Sequence, residues 1–567
     1  MIGQNATTCD ALVIGSGAGG LGAAIAAKKH GLDVLVIEKE PWLGGTTALS
    51  GGWLWIPCNP LAQRAGIDDS LDKARLYLKH ELGDRYDDRR LGAFLEAGPR
   101  MIDFFERETA LKFFLGQDYP DYHPDAPGAM PGGRAVCAEP FDGRELGQML
   151  AHIKPPPREL TLFGIKVGSG PDFRHFGNAQ RSFDSALYVA RRVLVHFMHL
   201  AAYGRDAQLM SGGALIGRLV KTALDLEIPI WRSTHATELI VRDGRVAGAI
   251  AMRSNAPVTI SAGRGVVCAA GGFPHDVARR KKLIHQSSGG GEYYSLASQG
   301  NTGDGLRMAE KIGASVDESC ANAAAWMPIS RVPHPNGRFG VYPHTFDRGK
   351  PGIIAVTAGG KRFVNEGNSY HDVGEAMLRA RPAGADRSAF LVCDRAAIRR
   401  YGLGMAKPYP VPLAPYVRSG YLQRGETIEE MATRAGIDPQ ALSNTIREFN
   451  ASAQEGRDPE FGRGANAYNA YQGDPAHQPN PCLAPLATPP FYAVRIHVGD
   501  LGTFAGLRTD EEARVLAADG APIPGLYAAG TDMASIFGGF YPGPGINLGP
   551  AMTFGYIAAR HMARQAR

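Results

Sequence analysis

A chain of 567 residues is too long for one compact core, and 44% hydrophobic with 21% charged residues is ordinary for a globular enzyme of two or more domains. A net charge of +5, without any basic run interleaved with aromatics, excludes a nucleic-acid partner and leaves a mild pull on anionic ligands. Seven scattered cysteines with no C-x-x-C or Cys/His spacing exclude zinc, iron–sulfur and disulfide frameworks and predict a reducing, cytoplasmic setting.

In chain order, Asp10 to Gly15 reads as a buried strand, Leu21 to His30 as a helix and Asp33 to Glu38 as a second strand, together a βαβ unit. No leader pattern precedes the first strand, and no apolar run nears the ~20 residues of a membrane span. Periodicity predicts helix over 70–110, then ordered loop over 117–170, rich in Pro, Gly and aromatics. A second helical stretch is predicted over 184–221, with Asp184 as its N-cap. Within it, 191–205 is apolar with basic ends, which reads as a core helix or, alternatively, as a surface that dips into a membrane. Strands at 238–242 and 246–250 flank a turn, and 265–273 is a buried strand ending in glycines. An irregular region then runs from 277 to 487 and ends in a Pro/Asn/Gly loop over 458–490; strand and helix signals return and finish in a helix over 551–564. The expected fold class is α/β: a Rossmann-like nucleotide domain built from both chain ends (1–276 and 488–567) around an inserted α+β catalytic domain (277–487).

The chemistry begins at Gly15-x-Gly17-x-x-Gly20, between the first strand and first helix. Ala18 and Gly19 complete a turn whose N–H groups approach a pyrophosphate where side chains would block it. Glu38, with Lys39 beside it, closes the next strand where a ribose needs a hydrogen-bond acceptor. Three additions favour FAD over NAD. Gly45, Thr46, Thr47, Ser50, Gly51 and Gly52 offer small residues and hydroxyls to a second ligand lobe. Ala270 and Gly271 end the glycine-rich return strand. Gly530 and Asp532 lie where Asp532 would reach the ribityl and phosphate region, and Asn547 and Leu548 lead into a last helix whose positive end would favour a reduced, anionic flavin.

Together these segments resemble the fumarate reductase/succinate dehydrogenase flavoprotein superfamily over nearly the whole chain, with Asn301 to Arg307 and Arg362 to Glu366 as further landmarks. Dicarboxylate enzymes of that group clamp carboxylates with an arginine just before the last helix; here Gly538 to Pro550 contains none, and a bidentate clamp cannot be made from Tyr and Pro. His497 stands near a family histidine. The segment Tyr541-Pro-Gly-Pro-Gly545 is instead similar to the 3-ketosteroid dehydrogenase branch. That resemblance implies a Tyr541 hydroxyl and a Gly545 N–H on the steroid carbonyl, and Tyr370 as proton-abstracting base. It also implies a third tyrosine in the loop Tyr119 to Gly128, where Tyr122 is preferred over Tyr119. Gly367 and His371 depart from the family pattern. Trp326, Met327, Phe346 and Phe504 would line a steroid slot or simply fill the core.

The implied activity is FAD-dependent C1–C2 desaturation of 3-ketosteroids with FAD held noncovalently, a quinone-type electron acceptor and peripheral membrane contact as an option. Alternatives are a Δ4-(5α)-dehydrogenase, an ene-reductase on a non-steroid enone, or a non-catalytic electron-transfer subunit.

Overall fold

The computed structural model describes residues 6–284, 294–380 and 386–565. Its larger sheet is built on three apolar strands from distant parts of the chain: Ala6–Ile14, Ala256–Cys268 and Pro522–Ala528. They run parallel, with Val13 beside Val267 and Val267 beside Tyr527, and Val34–Ile37 pairs parallel on the other side of the first strand. All four residues of Val34–Ile37 are buried, as both faces of a parallel sheet demand. Thr234–Arg242 and Arg245–Arg253 form an antiparallel hairpin on the middle strand. The helix Ala18–Lys29 packs against the last helix, Leu548–Arg564, so both chain ends meet under one sheet.

The second sheet is largely antiparallel and runs Phe339–Pro343, Ala324–Pro333, Phe491–Thr503, Ala389–Asp394, Ile353–Thr357. Phe491–Thr503 was expected on the nucleotide side of a border near 488. It pairs inside this second sheet instead, so the chain returns to the nucleotide side only after Thr503.

Local chemistry corrects several expected boundaries. The helix predicted over 70–110 is two, Leu71–Leu82 and Asp88–Glu108, broken where Gly83 takes φ +54 and Asp87 caps the second. The stretch predicted over 184–221 is likewise two, Phe183–Tyr203 and Gly212–Asp225; Gly204 stops the first in the left-handed region, and Ser182 rather than Asp184 is its N-cap. The supposed loop over 458–490 holds a short helix, Ala467–Gln472, capped by Asn466.

Helix Phe183–Tyr203 is not a core helix. Its outer face exposes Phe183 (82%), Leu194 (62%) and Phe197 (59%), while Ser185, Arg192 and His196 are buried beneath it. The underside is tied down by polar bonds: Tyr188 donates to Asp172 (2.7 Å), Arg192 to Gln208 (2.7 Å), and His196 and His199 both meet Asp206 (3.0 Å each). The amphipathic pattern is inside out.

Candidate active site

A cleft opens at the carboxyl ends of the parallel strands, where open α/β sheets hold their ligands. Of the residues expected to hold a cofactor, Gly15, Gly17, Ala18, Gly19, Glu38, Lys39, Gly45, Thr46, Thr47, Ala270, Gly271, Gly530, Asn547 and Leu548 all line it. A Cβ on Gly17 would meet only Thr47 Oγ1, at 3.5 Å, leaving room for a ligand against the backbone. Gly20 does not line the cleft: a Cβ there would lie 2.0 Å from Gly15 O, so this glycine serves helix–strand packing. Glu38 is buried, and Ser16 donates to its Oε2 from both backbone N (3.0 Å) and Oγ (2.6 Å). Burial pushes the Glu38 carboxyl up, against those hydrogen bonds.

Asp532, expected to reach the cofactor, is fully buried and accepts N–H from Ala270 (2.6 Å) and Gly272 (2.8 Å) instead. Burial raises its pKa to about 6 despite these donors, and its work is to fix the end of the return strand. Ser50, Gly51 and Gly52 also fall outside the lining, in the turn after helix Gly45–Leu49, where Ser50 Oγ donates to Thr47 O at 2.8 Å. Sequence reasoning missed Thr234, His235 and Ala236, because the hairpin strand starts earlier than its apolar alternation suggests, and it missed Asn301 as a lining residue. Asn301 lay within a landmark segment and donates to Thr46 Oγ1 at 3.0 Å.

The tyrosines gather at a second centre. Tyr122 donates its hydroxyl to Tyr370 at 3.1 Å, and the rings of Tyr122, Tyr370 and Tyr541 lie 5.1–5.7 Å apart by centroid. Each comes from a different element. Tyr370 is the first residue of helix Tyr370–Arg379, whose N-cap Ser369 accepts from Asp372 N. Tyr122 rides a loop pinned by Asp121, which accepts from Trp55 Nε1 and Arg134 Nη1 at 2.7 Å each. Tyr541 lies in the turn before the last helix, where Gly545 has φ +99 and a Cβ would sit 2.3 Å from Trp53 O; only glycine fits there.

Tyr119 stands one shell back, stacked on Tyr471 at 4.5 Å, while Tyr468 packs on Tyr122 at 4.8 Å. Both partners come from the short helix that composition had hidden. His371 is buried, accepts from Trp326 N at 3.1 Å through Nδ1, and faces Tyr541 and Phe504 at 5.7 Å. Phe504, Trp326 and Met327 are core residues, and Phe346 packs on Phe173 at 5.0 Å. His497 lies outside the tyrosine group, with its ring 5.5 Å from Tyr294. Arg362 and Glu366 form a buried network with Asp458 and Arg463 that supports the approach to Tyr370.

Burial raises all three phenols: Tyr541 to about 12, and Tyr370 and Tyr122 well above the ordinary value, with neighbouring tyrosines adding to the rise in Tyr122 and Tyr370. The site therefore presents two neutral hydroxyls that can donate and a third whose proton must move before it can act as a base.

The model for a FAD binding domain matches residues 10–548. The chain is 41% identical to 4-oxocyclohex-2-ene-1-carboxylate 5-dehydrogenase of Sinomonas cyclohexanicum, over 99% of this chain and 95% of that protein. It is 37% identical to 3-oxosteroid 1-dehydrogenase of Mycobacterium tuberculosis, over 98% of each. Among solved structures it is similar to 3-ketosteroid delta1-dehydrogenase from Sterolibacterium denitrificans in complex with 1,4-androstadiene-3,17-dione, with TM-score 0.89, 35% identity and 98% and 99% of the two chains covered.

Proposed function

The chain belongs to the FAD binding domain family, as an oxidoreductase acting on CH–CH groups, and from that premise we propose that it desaturates a ring ketone beside the carbonyl, as a 3-ketosteroid 1-dehydrogenase does. The observation that carries this reading is the 3.1 Å contact between the Tyr122 and Tyr370 hydroxyls beside Tyr541. Removing two hydrogens next to a ketone needs a grip on the oxygen, a base for the α-proton and a hydride acceptor on the β-carbon. Tyr541 donates to the ketone oxygen together with the Gly545 N–H and stabilises enolate charge as it develops. Tyr370 takes the C2 proton in its ionised form, the phenolate being stabilised by the hydrogen bond that Tyr122 donates to it. Gly15, Gly17, Glu38, Thr47, Asn547 and their neighbours in the cleft hold FAD, which when bound supplies the acceptor for the C1 hydride. A quinone-type acceptor then takes the electrons onward.

A second reading is favoured by the relative at 41% identity: a single oxo-substituted ring bearing a carboxylate in place of a steroid. Both readings share the carbonyl grip and the base. Anaerobic mixing of FAD-loaded enzyme with 4-androstene-3,17-dione and, separately, with 4-oxocyclohex-2-ene-1-carboxylate decides between them. Flavin bleaching by the steroid with formation of the 1,4-diene supports the first; bleaching by the ring acid alone supports the second. Bleaching by neither, across androstane, pregnane and cholestane ketones and the ring acid, overturns both. Ultraviolet and NMR spectra of the product separate C1–C2 from C4–C5 desaturation.

The exposed apolar face of helix Phe183–Tyr203 supports peripheral contact with a lipid surface from which an apolar substrate would be drawn. Among the described residues, no helix is long and apolar enough to cross a membrane.

A further inference from the structure

The dipeptide Tyr122–His123 is fastened on both sides of the tyrosine centre. Tyr122 N donates to Pro542 O (3.0 Å), directly after the carbonyl-gripping Tyr541, and Tyr77 OH donates to the same oxygen at 2.6 Å. Next in sequence, His123 bridges two carboxylates from separate helices. Its Nδ1 meets Glu81 on Leu71–Leu82, and its Nε2 meets Asp372 Oδ2, at 3.1 Å, on Tyr370–Arg379. Asp372 lies two residues past Tyr370, so this bridge spans the same gap as the Tyr122–Tyr370 hydroxyl contact. A ring with a carboxylate on each nitrogen donates from both and is an imidazolium. Burial opposes that charge, but Asp372 and Glu81 outweigh it and hold His123 well above its ordinary value; His123 in turn holds Asp372 low.

We propose that His123 is a positioning residue: clasped between Glu81 and Asp372, it closes the Tyr122 loop onto the Tyr370 helix and sets the hydroxyl contact through which the base is made ready. The inference rests on the reading of Tyr370 as the base. Its physical weight comes from the steep dependence of proton transfer on geometry, where a misplacement of about 1 Å can cost on the order of a hundredfold in rate. Contacts at Pro542 alone cannot supply this, because they tie the loop to the gripping segment and leave the base helix free. His123 touches none of the three catalytic hydroxyls, and its side chain is 37% exposed, so substitution removes no apolar core packing.

The test compares the FAD-loaded parent with His123→Gln and, as a second variant acting on the other half of the clasp, Asp372→Asn. With a ketone that bleaches the parent, the expected result is a fall of about tenfold to a hundredfold in the rate constant of flavin reduction. Half-saturation should stay within about twofold, since the ketone grip at Tyr541 and Gly545 is untouched. The primary isotope effect of substrate deuterated at the α-carbon should rise, because proton abstraction becomes the slow step. A loosened fold alone would lower FAD occupancy without raising that isotope effect. Rates and isotope effects equal to the parent in both variants overturn the clasp. A parent that no ketone bleaches overturns the functional reading instead. In that case amide exchange in the FAD-loaded proteins still judges the clasp: faster exchange over 119–125 and 370–375 in either variant supports it, and unchanged exchange in both overturns it.

Discussion

At the scale of single residues, the tyrosine centre separates three roles that substitution can tell apart. Removing the Tyr370 hydroxyl deletes the base, so Tyr370→Phe should bind FAD normally but reduce it at least about a hundredfold more slowly. Tyr541→Phe loses one donor to the developing enolate and should fall by about a hundredfold to a thousandfold. Both are read by anaerobic stopped-flow absorbance with the flavin content matched to the parent. The raised phenols give a pH prediction with a definite sign. Burial holds Tyr370 well above the ordinary tyrosine value, so at neutral pH it is protonated and only its small ionised fraction acts as base. That fraction grows about tenfold for each unit of pH below the pKa, so flavin reduction should climb with pH through the neutral and mildly alkaline range. A rate that falls as pH rises from 6 to 9 would remove Tyr370 from the role. The glycine turn divides in the same manner. Gly17→Ala meets only Thr47 Oγ1 and should fold but hold FAD weakly, whereas Gly20→Ala drives a methyl onto Gly15 O and should lose folded protein altogether. Thermal melting alongside flavin retention distinguishes the two losses.

Single elements show why parts of this molecule could be read from sequence and parts could not. The first βαβ unit was legible because residues 11–14 and Val34–Ile37 are buried on both faces and the glycine turn between them has one geometry. Tyr541 and Gly545 were singled out by the family resemblance of their segment, and the turn there does require glycine at 545, where a Cβ would meet Trp53 O. Tyr468 and Tyr471 were not, since helix Ala467–Gln472 has only six residues and sits in a Pro/Asn-rich stretch whose composition reads as loop. The structural bonds of Asp532 could not be foreseen, because an acidic residue near a cofactor cleft and one that caps buried amides look alike in sequence. Helix Phe183–Tyr203 inverted the usual inference: periodicity locates an apolar face but not whether that face points inward. Its exposure sets a prediction at this scale. Replacing Leu187, Leu194 and Phe197 together by Glu leaves the buried bonds of Tyr188, Arg192 and His196 in place, so the helix should stay folded. Sedimentation with phosphatidylglycerol-containing vesicles should then be lost, while reduction of flavin by a dissolved ketone stays within about twofold. Equal sedimentation of parent and variant would remove the lipid surface as this helix's partner.

Across the whole molecule, the cofactor cleft is the place where the two ends of the chain are joined. Its lining runs from Ile14 and Gly15 to Leu548 and Ala551, with Asn301 and Asp304 reaching in from the middle. Protein contacts already close this ring: Lys39 donates to Asp304 at 2.7 Å, Gly303 N donates to Gly272 O at 2.9 Å, and Asp532 bonds Ala270. The first and last helices cross closely, for a Cβ on Gly555 would lie 2.5 Å from Gly19 O. A ligand that touches every one of these segments binds the assembled fold and not the unfolded chain. It should therefore raise the stability of the whole nucleotide half at once, by about 4 kcal/mol at a thousandfold excess over Kd. On heating, loss of bound flavin, seen as the rise of free-flavin fluorescence, should coincide with the main calorimetric transition, and that transition should move upward as FAD is added. Flavin escaping well below a transition that added FAD does not shift would mean the cleft stands without its occupant, and that the chain ends are held by protein contacts alone.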